Sequence, residues 1–217
     1  MEFLAELEGI QTRILRRISD LELSILHEGS TGITDDAESD SDFERALTTE
    51  ERLSGILRAD AVVDFSFKRV PSDYYERTYE SRRDILGAAS IHHLCKSIVL
   101  VNTQAPGDVV DCSDRNFSKY YVVVVQYTAR FNAEAVKSFL YTINNGKIPK
   151  KRINMRLAPE ETSEKLTGYM HNGVTCIGRK TDIPVILDEA IVMLKPDFFW
   201  LGGGETDLKL GISSLNL

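Results

Sequence analysis

Residues 120–127 read YYVVVVQY, a run in which aromatic and β-branched side chains follow one another almost without interruption. Such side chains favour strands, and a continuous apolar run of this length is typical of a strand that is buried on both faces. A second β-branched run, KSIVLVN, lies before it at residues 96–102. The two runs therefore predict two strands of a sheet.

Segments with the start and stop signals of helices lie around these strands. They are residues 72–90, 132–146 and 159–168. Residues 151–158 alternate like a strand, and residues 183–194 begin as a strand that turns at Asp188 and Glu189. Strands separated by single helices, without strict alternation, predict an α+β domain with a mixed sheet.

The amino-terminal part of the chain has a different pattern. Residues 1–27 repeat apolar side chains every three or four positions, which predicts an amphipathic helix. The pattern leaves three arrangements of this helix open: packing on its own domain, pairing with a partner helix, or self-association as a short coiled coil. Residues 28–60 predict a flexible acidic linker followed by a short capped helix at residues 48–59, and the main domain spans residues 61–217.

The acidity of the chain is local. The formal net charge is −7, but residues 28–51 contain nine acidic residues and one basic residue, so the rest of the chain is close to neutral. A neutral body permits a nucleic-acid partner without predicting one. The densest basic group, a candidate contact for nucleic-acid phosphates or a solvated rim, consists of Lys147, Lys150, Lys151, Arg152 and Arg156.

The composition and the amino-terminal sequence also indicate the cellular location of the protein. No segment approaches the roughly 20 apolar residues of a membrane helix, and the amino terminus does not resemble a signal peptide. The three cysteines are an odd number at unrelated spacings, which predicts reduced thiols, a cytoplasmic location and no zinc site. The adjacent His92 and His93 lack partners at metal-ligand spacing, so we interpret them as structural.

Residues 168–180, GYMHNGVTCIGRK, raise the main functional question. Three glycines surround small and polar side chains, with His171 and Cys176 five positions apart. The segment is compatible with an ordinary turn, a phosphate-binding loop, a thiol nucleophile with a histidine base, or a loop whose main-chain amides stabilise an oxyanion. Residue types alone leave these alternatives open.

The order of several motifs resembles the YbaK domain, a family that includes the ProX proteins and the editing insertion of bacterial prolyl-tRNA synthetases. The matching segments are HLCKSIVLVN, YYVVVVQY, RLAPEETSEKLTGYMHNGVTCIG, IPVILDEAI and LGGGETDLKL, in the family's order over roughly residues 62–217. The resemblance implies a mixed β-sheet or partial barrel surrounded by helices. The helical extension at the amino terminus lies outside it.

The resemblance also implies a function, which is hydrolysis of mischarged aminoacyl-tRNA carrying a small amino acid. One methylene in a binding pocket is worth only about 1–3 kcal/mol, so a synthetase cannot reject every smaller amino acid by binding alone. A free-standing deacylase removes the errors. Known members act on alanyl- or cysteinyl-tRNA for proline, and the family implies neither a cofactor nor a metal.

Site residues follow from the same resemblance. Lys96 matches the family lysine that holds the terminal adenosine and its phosphate. The expected catalytic loop amides belong to Gly173, Val174, Thr175 and Cys176. The expected substrate-binding residues are Thr167, Gly168, Tyr169, His171, Asn172, Ile177, Gly178, Gly202, Gly203 and Asp207. The chain departs from the family pattern at Asn172, where the motif has a glycine, and at Cys176, where it has a proline.

Two alternatives to the deacylase remain at this stage. In the first, the altered loop is catalytically silent and the chain is an adaptor that binds tRNA or a synthetase. In the second, Cys176 is a thiol nucleophile with His171 as its base. Whether the chain is an enzyme or an adaptor, its amino-terminal helix is a candidate for docking onto a synthetase or translation complex. The expected partner is aminoacyl-tRNA.

Overall fold

The computed structural model describes residues 47–216, so the helix predicted at residues 1–27 and the linker at residues 28–46 lie outside the described part. The described residues form five α-helices and seven strands. The helices are α1 (Thr49–Ala59), α2 (Tyr79–Leu86), α3 (Ala133–Ile143), α4 (Glu160–Thr167) and α5 (Glu189–Val192). The strands are β1 (Phe65–Arg69), β2 (Cys95–Asn102), β3 (Tyr120–Gln126), β4 (Met155–Leu157), β5 (Val185–Leu187), β6 (Phe199–Gly202) and β7 (Leu208–Ile212).

The two strands predicted from the apolar runs lie at the centre of a mixed sheet with the order β4-β2-β3-β5. Strands β2 and β3 are antiparallel, whereas β3 and β5 are parallel. Val122 and Val124 pack into one hydrophobic cluster, and Val123 and Val125 pack into a second cluster on the other face. Burial on both faces explains the continuous apolar run of β3.

A second sheet is antiparallel and has the order β1-β7-β6. It meets the larger sheet where Leu94, immediately before β2, forms a single parallel bridge with Trp200 of β6. Within residues 47–216 the two sheets do not close into a barrel. The predicted α+β architecture with a mixed sheet is therefore confirmed, but neither β1 nor the β6–β7 hairpin was predicted from the sequence.

Capping residues set most of the helix boundaries. Thr48 and Glu51 form a reciprocal capping box at the start of α1, and Asn132 accepts hydrogen bonds from two amides at the start of α3. Helix α2 begins later than the predicted residues 72–90, because Thr78 is its N-cap and residues 74–76 form a separate 3₁₀-helix. The Asp73 carboxylate binds Arg77 instead of capping a helix.

Strand β4 is shorter than predicted, and this shortness leaves a gap along β2. Residues 150–152 form a 3₁₀-helix, and β4 pairs only with Leu100–Asn102. The Ala158 amide donates to the Val99 carbonyl just beyond the last pair. Alternate residues of a strand direct their peptide groups to the same edge, so the peptide groups of Ser97 point to the same edge as those of Val99. At Ser97 this edge is not covered by β4.

Candidate functional site

A pocket of about 430 Å³ lies at this uncovered edge of β2. Its wall is formed by β2, Tyr127 after β3, the start of α4 and Gly202 of β6. It also includes four residues of the segment 168–178, which we call the glycine loop. The pocket thus lies where the two sheets and the glycine loop meet.

Lys96 provides the positive charge of the pocket. Its side chain is half-buried on β2, and its Nζ lies 5.5 Å from the centre of the Tyr127 ring. Burial raises the pKa of Tyr127, so that phenol is neutral at physiological pH. Among the residues that the structure describes, no carboxylate pairs with the Lys96 ammonium. This ammonium is therefore available to an anionic ligand.

The glycine loop turns sharply at Asn172, which has φ +64°. The Gly173 amide closes this turn by donating to Met170 O at 3.0 Å, and Gly173 O accepts from the Gly204 amide at 2.9 Å. In a trans peptide the N–H points away from the C=O, so the Val174 N–H is directed away from the β6–β7 connection. Within residues 47–216, the amides of Val174 and Thr175 have no hydrogen-bond acceptor.

The glycine loop approaches β6 too closely for a side chain at residue 202. A Cβ atom built on Gly202 would lie 2.3 Å from Val174 O, a distance that real Cβ contacts do not show. Gly202 therefore allows the two main chains to meet, and both Gly202 and Val174 line the pocket.

Two side chains donate hydrogen bonds to the carbonyls of His171 and Asn172 in the glycine loop. The Tyr75 hydroxyl donates to Asn172 O at 2.7 Å, and the Thr206 hydroxyl donates to His171 O at 3.3 Å. At the other end of the loop, Arg52 of α1 donates to Gly178 O at 3.1 Å and to the Tyr169 hydroxyl at 3.2 Å. The loop is thus fixed by elements that are distant in sequence.

Six of the residues expected at the site line the same pocket, namely Lys96, Tyr169, His171, Asn172, Val174 and Gly202. The other expected residues do not contribute to its wall, and they are Thr167, Gly168, Gly173, Thr175, Cys176, Ile177, Gly178, Gly203 and Asp207. Asp207 pairs instead with Arg69 of β1 at 2.8 Å. The structure thus brings the lysine and part of the glycine loop together.

Cys176 is buried in the main hydrophobic cluster and is 3% exposed. Burial raises the pKa of its thiol to about 11, although the nearby Arg179 guanidinium acts in the opposite direction. The thiol is therefore protonated at neutral pH, whereas a nucleophile must be a thiolate. The His171 side chain is largely exposed and lies 3.9 Å from Glu160. This geometry does not support a Cys176–His171 pair.

The sequence interpretation missed several residues of the pocket. The most informative is Ser97, whose buried Oγ has no hydrogen-bond partner within residues 47–216. This hydroxyl is closed to solvent and lies near the buried Cys176 thiol, so Ser97 meets the pocket with its other atoms. Glu160 and Ser163 of α4 and Tyr127 also line the pocket. Their only sequence signal was proximity to the predicted strands and to the predicted α4 helix.

None of the residues of the predicted basic group lines the pocket. Lys150, Lys151 and Arg152 are exposed in a 3₁₀-helix, and exposed Arg156 precedes Leu157, which lines the pocket. Residues 47–216 contain no group of three or more His, Cys, Asp or Glu side chains that could hold a metal ion. In that same range no helix has both the length and the hydropathy to cross a membrane.

Comparisons with known proteins agree with the resemblance seen in the sequence. No curated protein sequence matches the chain. The chain superimposes on a scaffold protein from epitope backbone grafting by computational design (TM-score 0.56, 16% identity, 78% of this chain and 89% of that chain). It also superimposes on a candidate trans-editing enzyme for prolyl tRNA synthetase (TM-score 0.54, 20% identity, 77% and 88%). A third match is the hypothetical protein APE2540 (TM-score 0.54, 19% identity, 75% and 89%).

At these identities the structural matches establish the fold, and the sequence family comes from an independent match. The family model described as "Aminoacyl-tRNA editing domain" matches residues 77–217. This segment contains Lys96, the glycine loop and the β6–β7 hairpin, and it covers well over half of the chain. The chain therefore belongs to the family of aminoacyl-tRNA editing domains.

Proposed function

We propose that the chain is a trans-editing hydrolase that deacylates mischarged aminoacyl-tRNA carrying a small amino acid. The observation that carries this proposal is that Lys96 lines the same pocket as Val174, whose amide has no acceptor within residues 47–216. One group is a cation with no carboxylate partner in the described residues, and the other is a main-chain donor with no acceptor there. An aminoacyl ester next to a nucleotide phosphate offers a partner to each.

In the proposed reaction, water attacks the carbonyl carbon of the ester. A bond forms from the water oxygen to that carbon, the bond from the carbon to the ribose oxygen breaks, and the ribose oxygen leaves with a proton. The Val174 amide is the candidate donor to the developing oxyanion, and one such donor is worth about 2.7–4 kcal/mol. Lys96 holds the terminal adenosine and its phosphate as a point charge.

The remaining pocket residues support a small acyl group and an RNA ligand. The glycine loop crosses directly over Gly202, which limits the space beside Val174. The Ser97 main-chain groups, which β4 leaves uncovered, are candidates to bind a polar group of the substrate. The exposed basic side chains of Lys150, Lys151, Arg152 and Arg156 are candidates to bind tRNA phosphates outside the pocket.

The segments outside the described residues complete the proposal. The helix predicted at residues 1–27, joined by the acidic linker at residues 28–46, docks the enzyme onto a synthetase or translation complex and raises its local concentration near tRNA. The free thiols of Cys95, Cys112 and Cys176 are buried, which supports a cytoplasmic location.

The test is a panel of tRNAs charged with alanine, serine or cysteine, assayed for hydrolysis by the wild type and by Lys96→Ala. We expect wild-type turnover of at least one species and a loss of about 2–5 kcal/mol of transition-state stabilisation in Lys96→Ala, the cost of removing one partner of a charged contact. Lys165→Ala, at an exposed lysine of α4, is the control. Hydrolysis that is equal in Lys96→Ala and wild type contradicts the proposal.

A second candidate function is an adaptor that binds tRNA without hydrolysing it. It is favoured by the Gly173 amide, which is used within the Asn172 turn and is not available to a substrate. Binding of aminoacyl-tRNA without turnover of any member of the panel, in wild type and variants alike, distinguishes the adaptor from the hydrolase.

A further inference from the structure

A buried lysine that does not line the pocket occupies the centre of the network behind the glycine loop. Lys209 of β7 is 3% exposed and lies opposite Gly202 of β6. Its Nζ donates to the Tyr75 hydroxyl and, at 3.0 Å, to Thr206 O. The same ammonium packs over the rings of Tyr74 and Tyr75, 5.3 and 4.5 Å from their centres.

Both residues that accept from Lys209 donate to the glycine loop. The Tyr75 hydroxyl binds Asn172 O, and the Thr206 hydroxyl binds His171 O. Two successive carbonyls of the loop are therefore anchored, each through one intermediate residue, to a single ammonium group. These carbonyls immediately precede the peptide that carries the Val174 N–H.

We propose that Lys209 is a positioning residue of the site, which fixes the glycine loop through Tyr75 and Thr206 and thereby holds the Val174 amide in the pocket. The catalytic consequence of this assignment rests on the proposed deacylase function. The structural consequence, an ordered Asn172 turn, does not. Displacement of a catalytic group by about 1 Å is enough to reduce a rate about a hundred-fold, so an anchor distant from the substrate has a large effect.

The residue type fits this role better than a packing role. An ammonium has three donors, and here one is directed to a hydroxyl and another to a carbonyl. A buried charge costs stability unless it is well compensated, and a hydrophobic side chain of similar size is often more stable in such a place. Nearby Asp207 compensates the charge in part, Arg82 opposes it, and burial lowers the pKa of Lys209 to about 8.

The first experiment compares the wild type, Lys209→Met and the control Lys68→Met on the best substrate of the panel. Lys68 lies opposite Lys209 on β1 but is exposed. For Lys209→Met we expect kcat to fall about ten- to a hundred-fold and KM to stay within about two-fold, because the loop amide acts on the transition state. Its stability in urea is expected to equal or exceed that of the wild type. Lys68→Met is expected to change none of these quantities.

The second experiment breaks the two links separately. Tyr75→Phe removes the contact to Asn172, and Thr206→Val removes the contact to His171. If both act in one network with Lys209, the losses in kcat of the single variants are not additive in the double variants with Lys209→Met. Additive losses, or a kcat of Lys209→Met within about two-fold of the wild type, overturn the proposal.

The proposal is testable even where the deacylase function fails. If the wild type hydrolyses no member of the panel, hydrogen exchange reports directly on the turn through the amides of Gly173 and Gly204, which donate to Met170 O and Gly173 O. We expect both amides to exchange at least about ten-fold faster in Lys209→Met, with the amides of β3 unchanged. Equal exchange in the two proteins overturns the positioning role.

Discussion

At the scale of single residues, two buried serines with opposite surroundings allow a matched test of the pocket. Ser97 Oγ has no partner within residues 47–216, whereas Ser118 Oγ donates to Tyr120 O at 2.7 Å and accepts from the Tyr120 amide. Removing an unsatisfied buried hydroxyl relieves a desolvation cost of about 1–3 kcal/mol, whereas removing a bonded one exposes its partners to the same cost.

We therefore predict that Ser97→Ala is as stable as the wild type or more stable, and that Ser118→Ala is less stable by about 1–3 kcal/mol. Urea denaturation measures both changes. A loss of stability in Ser97→Ala as large as that in Ser118→Ala would show that the Ser97 hydroxyl is bonded in the folded protein.

At the scale of elements, the site depends on contacts between the glycine loop, the β6–β7 hairpin and helix α1. A Cβ atom on Gly178 would lie 2.7 Å from Leu53 of α1, and one on Gly204 would lie 2.6 Å from Thr49 of the same helix. Helix α1 precedes the segment that matches the family model. It therefore supports the back of the site from outside the family segment, through Arg52 and its contact with Tyr169.

Two glycine-to-alanine substitutions test how tightly these elements meet. At Gly202 the added methyl overlaps Val174 O, so we predict that Gly202→Ala lowers the free energy of unfolding by about 1–3 kcal/mol or more. At Gly55, in the middle of α1, nothing lies within 4 Å, and alanine is expected to raise the free energy of unfolding by up to about 1 kcal/mol. Thermal and urea unfolding measure both variants. Opposite signs are expected, and equal effects would contradict the close approach at Gly202.

At the scale of the whole molecule, Lys209 links pH to stability. Burial lowers its pKa from 10.5 to about 8, so between these values the unfolded chain binds more protons than the folded one. The contribution of Lys209 to the free energy of unfolding therefore rises as pH rises from about 8 to 10.5. Below pH 8, burial of the charged ammonium lowers the free energy of unfolding by its full amount, on the order of 3 kcal/mol.

Other groups act in the opposite direction at high pH, so the prediction concerns a difference between two proteins. Burial raises the pKa of Cys176 to about 11 and also raises the pKa of Tyr75. Each group therefore ionises at a lower pH in the unfolded chain than in the folded protein. As a result, the folded protein loses stability as pH rises above the unfolded pKa of each group. We predict that the free energy of unfolding of the wild type, minus that of Lys209→Met, increases from pH 7.5 to 9.5. Urea denaturation at several pH values measures it, and a constant difference would contradict a depressed Lys209 pKa.

Local sequence patterns were sufficient for the strands and helices whose signals lie within a few residues. The apolar run of β3, the capping box at Thr48 and the cap at Asn132 each act over one strand or one helical turn, so the sequence alone determined them. The family motifs likewise predicted that Lys96 and the glycine loop belong to one site. Strand β1 was missed because its partner is remote: Phe65 pairs with Ile212, which is nearly the whole domain away. The β6–β7 hairpin is local, but the glycines at its turn weaken the strand pattern.

Only the tertiary structure decided which groups of the candidate site face the pocket. The sequence could not show that Cys176 is buried while Val174 lines the wall, because both follow the same turn and their directions depend on the contact of Gly173 with Gly204. It also gave no sign that Lys209 and Tyr75, which are 134 positions apart, form a hydrogen bond behind the loop. Sequence determines periodicity and caps through short-range forces, whereas the orientation of a loop peptide depends on hydrogen bonds between segments that folding brings together.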